Sequence, residues 1–126
     1  MEITWVEFET VLAMHKRQIA EHGGSDGVRD EGLLSSALAR PQNILAYTDN
    51  ADIAALAGAY AFGIAKNHPF IDGNKRTALV VMRTFLLLNG HRFEASQEEK
   101  YMTFLKLADG SLSEDELVEW IRSKLS

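Results

Sequence analysis

The stretch from His68 to Gly90, HPFIDGNKRTALVVMRTFLLLNG, decides how the rest of the chain is read. Pro69 lacks an amide hydrogen and disfavours helical geometry at His68, so a helix arriving from the N-terminal side must end near Asn67. Another helix begins within Asp72-Gly73-Asn74 and continues through Ala78, Met82, Phe85 and Leu86 to Leu88. Val80, Val81 and Leu87 make it apolar on most sides, the pattern of a helix at the centre of a core. Asn89-Gly90 ends it.

Working outward, helical periodicity extends over the whole chain. Upstream, Ile53, Leu56, Ala57, Tyr60 and Ile64 mark an alanine-rich helix that follows the polar turn Thr48-Asp49-Asn50. Before it, Asp30 is placed to cap a short helix containing Leu33, Leu34, Ala37 and Leu38, which Pro41 is expected to close. The first helix is expected to start at Thr4, paired with Glu7 in a capping box, and to show Trp5, Phe8, Leu12, His15 and Ile19 on one face until Gly23-Gly24 stops it. Downstream, Ser96 with Glu99 and Ser113 with Glu116 form capping boxes that open helices carrying Tyr101, Phe104 and Leu105, then Leu117, Trp120 and Ile121. The reading is an all-α fold of six helices around a central apolar helix. His91-Arg92-Phe93-Glu94 is the only extended piece, a place for a short target-docking flap. No repeat or long linker divides the chain, so residues 1–126 are expected to form one domain.

Composition excludes several classes of function. With 126 residues, 46% apolar and 25% charged, the chain fits one ordinary globular domain. Thirteen Lys and Arg against eighteen Asp and Glu leave a net charge of -5, so no direct nucleic-acid partner is expected. The absence of cysteine rules out disulfides and thiolate metal sites. No apolar run approaches the roughly 18 to 20 residues of a membrane span. Met1 to Thr10 has neither the basic start nor the apolar block of a leader, which makes a cytoplasmic location the expectation. His15, His22, His68 and His91 are scattered without an HExxH pair, so zinc is not expected. His15 reads as a core residue, and His22 as a cation for the end of its helix.

Between His68 and Arg76 an imidazole, a carboxylate, an amide and two cations fall within nine residues. Gly73 permits a tight bend, and the first amides of the following helix have no intrahelical acceptor, which makes a cradle for phosphate. Arg76 can hold phosphate oxygens with its fork, and Asn74 can donate to another. Asp72 has the hard oxygen that magnesium prefers. His68 is suited to accept a proton from an attacking hydroxyl. Each residue has a plainer reading: Asp72 as a helix cap, His68 as a packing or capping residue, Lys75 and Arg76 as solvated first-turn side chains. Two cations at the positive end of a helix are nevertheless misplaced unless an anion binds there. A P-loop does not fit, because a helix precedes the turn and Asn74 stands between Gly73 and Lys75.

His68-Pro-Phe-Ile-Asp-Gly-Asn-Lys-Arg76 resembles the motif of the Fic/Doc family, His-x-Phe-x-(Asp/Glu/Asn)-(Gly/Ala)-Asn-(Gly/Lys)-Arg, and the stretch from Arg29 to Gln42 is similar to the early segment of Doc-type chains. Lysine at 75, where AMP-transferring members usually have glycine, is the letter of the Doc branch. The resemblance implies a toxin of a toxin–antitoxin pair, a kinase using ATP and Mg that phosphorylates a threonine of elongation factor Tu and so inhibits translation. It implies His68 as base, Asp72 as magnesium ligand, and Gly73, Asn74, Lys75 and Arg76 as phosphate contacts, with Phe70 anchoring the loop. A cognate antitoxin, whose C-terminal segment folds into a groove, is the implied partner. Leu79 stands where many AMP transferases of the family have a second arginine, and no internal Ser/Thr-x-x-x-Glu-Gly/Asn inhibitory segment is present. AMP transfer and a catalytically idle binding module are the competing readings.

Overall fold

Six helices follow one another in the computed structural model, which describes residues 2–126: α1 Phe8–His22, α2 Glu31–Tyr47, α3 Ile53–Asn67, α4 Asn74–Leu88, α5 Gln97–Asp109 and α6 Glu114–Ser123. Met1, the first residue of the stretch read above for a leader, lies outside the described residues. Four starts are set by side-chain caps. Asp30 accepts from the Leu33 amide, Asp52 from Ala55, Ser96 from Glu99 and Ser113 from Glu116, and both serine caps are reciprocated by a glutamate. No helix among the described residues is long and apolar enough to cross a membrane.

The helix buried on every side is α3 rather than α4. From Ile53 to Ala65 nearly every residue of α3 is buried, and α2, α4, α5 and α6 pack around it. Its small residues let neighbours come close: a Cβ on Gly63 would lie 3.1 Å from the Ala37 Cβ and 3.2 Å from the Ala37 Cα, and one on Gly58 would lie 2.6 Å from a Val118 methyl. In α4, Ala78, Val81, Met82, Phe85 and Leu86 face this core, while Leu87 and Leu88 are exposed.

Three local expectations are corrected. The first helix begins at Phe8, not Thr4, and the capping box of Thr4 with Glu7 does not form. A more distant partner wins: the Asn89 side chain accepts from the Thr4 amide at 2.8 Å and donates to the Thr4 carbonyl at 2.9 Å, and the Val6 amide donates to the Tyr60 hydroxyl at 3.1 Å. Trp5 therefore stacks on Phe85 from a non-helical segment, with 5.9 Å between ring centroids. Pro41 does not end the second helix, which runs on to Tyr47. An internal proline costs a hydrogen bond and a steric clash, about 3 kcal/mol. Pro41 is buried in line with Leu34, Ala37 and Leu38, and continuing the helix also packs Ile44 and Leu45 against the core. Finally, His91–Glu94 is extended as expected but is not alone. Phe93 bridges to Leu125, with Arg92 and Ser126 exchanging main-chain bonds of 3.2 and 3.0 Å, and a second bridge joins Val28 to Phe70. Phe93 also meets Trp120 edge-on at 5.2 Å, so the piece proposed for a flap is tied to the C-terminus.

Gly63→Val is expected to destabilise the fold by about 1 to 3 kcal/mol through overpacking against α2. Denaturant unfolding of the variant checks this, and a midpoint equal to that of the parent would show that the helices can part without cost.

Candidate active site

The turn between α3 and α4 is built from an unusual backbone conformation. His68 is left-handed (φ 48°, ψ 57°), a geometry rare outside glycine, and its side chain is exposed while Pro69 and Phe70 are buried. Proline at 69 bars the helical alternative at His68. Arg29 then clamps the helix end, donating from Nε to the His68 carbonyl at 2.7 Å and from Nη2 to the Asn67 carbonyl at 2.8 Å. A guanidinium is well suited to the negative end of the α3 dipole.

Phe70 and Asn74 close the turn. The Asn74 carboxamide accepts from the Phe70 amide and donates to the Phe70 carbonyl, both at 3.0 Å. The side chain expected to donate to phosphate thus holds the loop together. The Phe70 ring is 1% exposed, as the anchoring role requires, and the His15 ring lies flat on it, 3.8 Å between centroids and 6° between planes.

Asp72 does not cap α4. Its Oδ1 accepts from the Gly73 amide at 2.8 Å and its Oδ2 from the Ser25 amide at 3.3 Å, across from the loop that follows α1. These two amides, with the Arg76 charge adding to them, hold its carboxyl below the ordinary range. The loop approaches so closely that a Cβ on Gly24 would lie 2.6 Å from Asp72 Oδ2. The carboxylate is exposed, ionised and open on its outer lone pairs, the state a hard cation needs.

The mouth of α4 is bare. Its N-cap is Gly73, left-handed at φ 76°, with no side chain to bond the first amides, and no acidic residue follows in the first turn. His68, Asp72, Gly73, Asn74, Lys75 and Arg76 line an open cleft of about 460 Å³. Lys75 and Arg76 also line a groove of about 360 Å³ between α4 and α5, with Leu79, Lys100, Tyr101 and Phe104. Among the described residues Lys75, Arg76, Arg83 and Lys100 have no carboxylate ion-pair partner. Burial, and then the nearby Arg83 charge, hold the Lys100 ammonium below its ordinary range. Uncompensated like charges gathered in a chain of net charge -5 favour an anionic occupant.

The structure thus brings all six residues expected at the site, His68, Asp72, Gly73, Asn74, Lys75 and Arg76, to one cleft. Sequence reasoning missed three others. Arg29 lies within the stretch quoted for the resemblance, but nothing local shows its bond to His68. Lys100 reaches the groove from another helix. His15 is buried, as its place on the apolar face of α1 predicts, but nothing local shows its contact with the Asp72 carbonyl 57 positions away.

With this geometry in view, comparison with known proteins is informative. A family profile described as Fic/DOC family matches residues 5–86. The chain is 32% identical over 114 residues to the "Protein kinase doc" of Escherichia phage P1, covering 90% of each chain. It is 46% identical over 77 residues to "Toxin Doc" of Mycolicibacterium smegmatis, 58% of this chain and 57% of that one. A shorter match, 44% over 55 residues, joins 40% of this chain to 11% of "Protein adenylyltransferase Fic" of Drosophila persimilis. The protein belongs to the Fic/Doc family.

Because its native pKa is depressed, the Asp72 carboxylate contributes stability that is fully present above its ordinary value of 3.8 and is lost as pH falls through the native value. A carbon-detected NMR titration of Asp72 is expected to give a midpoint below 3.8, with no change of charge between neutral pH and 5. A midpoint above 3.8 would mean that the Gly73 and Ser25 bonds do not hold in solution.

Proposed function

We propose that this protein is the toxin of a toxin–antitoxin pair and acts as a protein kinase dependent on ATP and Mg, with a threonine of elongation factor Tu as its target. The observation that carries the reading is the open mouth of α4: bare amides, with Lys75 and Arg76 lacking any carboxylate partner among the described residues although Arg76 Nη2 donates to the Gly23 carbonyl at 3.2 Å, beside an ionised Asp72 and an exposed His68, all on one cleft.

The residues fit the groups this reading requires. Asp72 would hold magnesium with phosphate oxygens and water, and the metal supplies neutralisation of phosphate charge. The amides of Asn74, Lys75 and Arg76, with the two side-chain cations, would grip the phosphates. The groove between α4 and α5 shares those cations and gives Leu79, Tyr101 and Phe104 as apolar walls for the nucleoside, with Lys100 as a further cation. In the transfer the target hydroxyl oxygen forms a bond to the γ-phosphorus while the bond to the bridging oxygen breaks, and ADP leaves with that electron pair. His68 accepts the hydroxyl proton on a ring nitrogen. Its left-handed backbone, clamped by Arg29, holds the imidazole at the cleft instead of in the core.

Two observations favour phosphoryl over AMP transfer. Lys75 places a long cation where glycine would leave room for the α-phosphate, and Leu79 gives no charge at the second arginine position. The relative named as a kinase also matches along most of the chain, whereas the adenylyltransferase matches over less than half. AMP transfer is the second reading, favoured by the shorter match to a relative named as an adenylyltransferase. A cognate antitoxin, as in toxins of this class, is the partner that would restrain the activity.

Incubation of the purified protein with Mg, elongation factor Tu, and ATP labelled at either the α or the γ phosphate separates the readings. Label from γ only is expected; label from α would establish AMP transfer, and label from neither, with an active control, an idle binding module. His68→Ala is expected to lower the γ transfer by about 10²- to 10⁴-fold with an unchanged melting temperature. Full activity in that variant would remove His68 from the chemistry.

A further inference from the structure

His15 is the buried titratable group that the proposed reaction leaves without a task. It is 2% exposed, yet it is not merely packed. Its Nε2 lies 2.8 Å from the main-chain carbonyl oxygen of Asp72, and because a carbonyl only accepts, Nε2 carries the hydrogen. Its ring covers the Phe70 ring face to face. On its other side Nδ1 faces Asp26 Oδ1 at 3.9 Å, in the loop whose next residue but one, Val28, bridges to Phe70. One side chain from the middle of α1 therefore touches both ends of the Phe70–Asp72 segment and the loop that covers it.

The geometry points to His15 as a positioning residue for the catalytic loop: its bond to the Asp72 carbonyl, made while its ring is stacked on Phe70, fixes the main chain from which the Asp72 carboxylate reaches the cleft. The inference rests on the reading of Asp72 as the metal ligand. A carboxylate held by two amides and exposed on its outer side still moves with its backbone. The Asp72 carbonyl has no other donor among the described residues, and the left-handed Gly73 that follows adds freedom at that point. Groups that orient a metal ligand from behind typically contribute about 10- to 100-fold in metal affinity or activity. His15 acts through Asp72 and touches neither phosphate nor hydroxyl.

Two substitutions separate this role from simple packing. His15→Phe keeps a flat ring of similar volume on Phe70 but has no donor for the Asp72 carbonyl. His15→Gln loses the ring but places an amide N–H near the position of Nε2. If His15 only fills space, the Phe variant is the better tolerated; if it positions the loop, the Gln variant is. Amide hydrogen exchange of the free protein tests the loop without any ligand: Phe70, Ile71 and Gly73 are expected to exchange faster in His15→Phe and nearly as in the parent in His15→Gln. Binding of Mn²⁺ with a non-hydrolysable ATP analogue, followed by electron paramagnetic resonance, is expected to weaken by about 10- to 100-fold in His15→Phe and to recover in His15→Gln. A Phe variant equal to the parent in exchange and Mn²⁺ binding, or a Gln variant as impaired as Phe, overturns the positioning role. Failure of the parent itself to bind Mn²⁺ and the analogue, with the exchange pattern as expected, refutes the nucleotide reading and supports His15 as the support of the loop.

Discussion

The Asn74 carboxamide bonded to both main-chain groups of Phe70 is the contact on which the rest of the site depends. It closes a turn that starts at a left-handed His68 and ends at a left-handed Gly73. Because the Phe70 ring is buried beneath the His15 ring, the turn is tied to the core as well as to itself. The result is that the imidazole of His68, the carboxylate of Asp72 and the first amides of α4 all face one cleft, although they come from three different parts of the turn.

The core and the site make opposite use of the same rules. Four of the other helix starts are closed by Asp30, Asp52, Ser96 and Ser113, and the central helix is lined with alanine and glycine so that its neighbours pack closely. At α4 the cap is a glycine, the first turn has two cations instead of carboxylates, and Lys100 across the groove has no carboxylate partner among the described residues. Each of these choices is unfavourable locally, by about a few tenths of a kcal/mol for glycine in place of a capping side chain and by about 0.3 to 1 kcal/mol for each misplaced charge. Burial of α3 and of the inner face of α4 supplies the stability that lets the mouth remain open.

The motif residues were legible because they are consecutive: a histidine, an aspartate and two cations within nine residues need no tertiary information to be noticed. The serine capping boxes and the Asp30 cap were legible for the same reason, since cap and capped amide lie three residues apart. What failed was local reasoning against distant competitors. Thr4 has the pattern of a cap, but Asn89 takes its main chain from 85 residues away. Pro41 has the pattern of a stop, but the face it continues is buried against α3. Asn74 is different, since its side chain is taken up by Phe70 only four residues back, a contact that the left-handed His68 and Gly73 bring about.

The sequence by itself determined that the chain folds as helices, where α1, α3 and α4 stop, and which short segment gathers the candidate site, because helical period, caps and proline geometry act over a few residues. Only the tertiary structure decided that α3 and not α4 is the buried centre, that Arg29 clamps His68, and that His15 lies beneath the Asp72 loop. Those are contacts between residues 38 to 57 positions apart, set by which faces pack together once the helices are formed, and that choice is made by the summed burial of the whole core rather than by any one stretch of it.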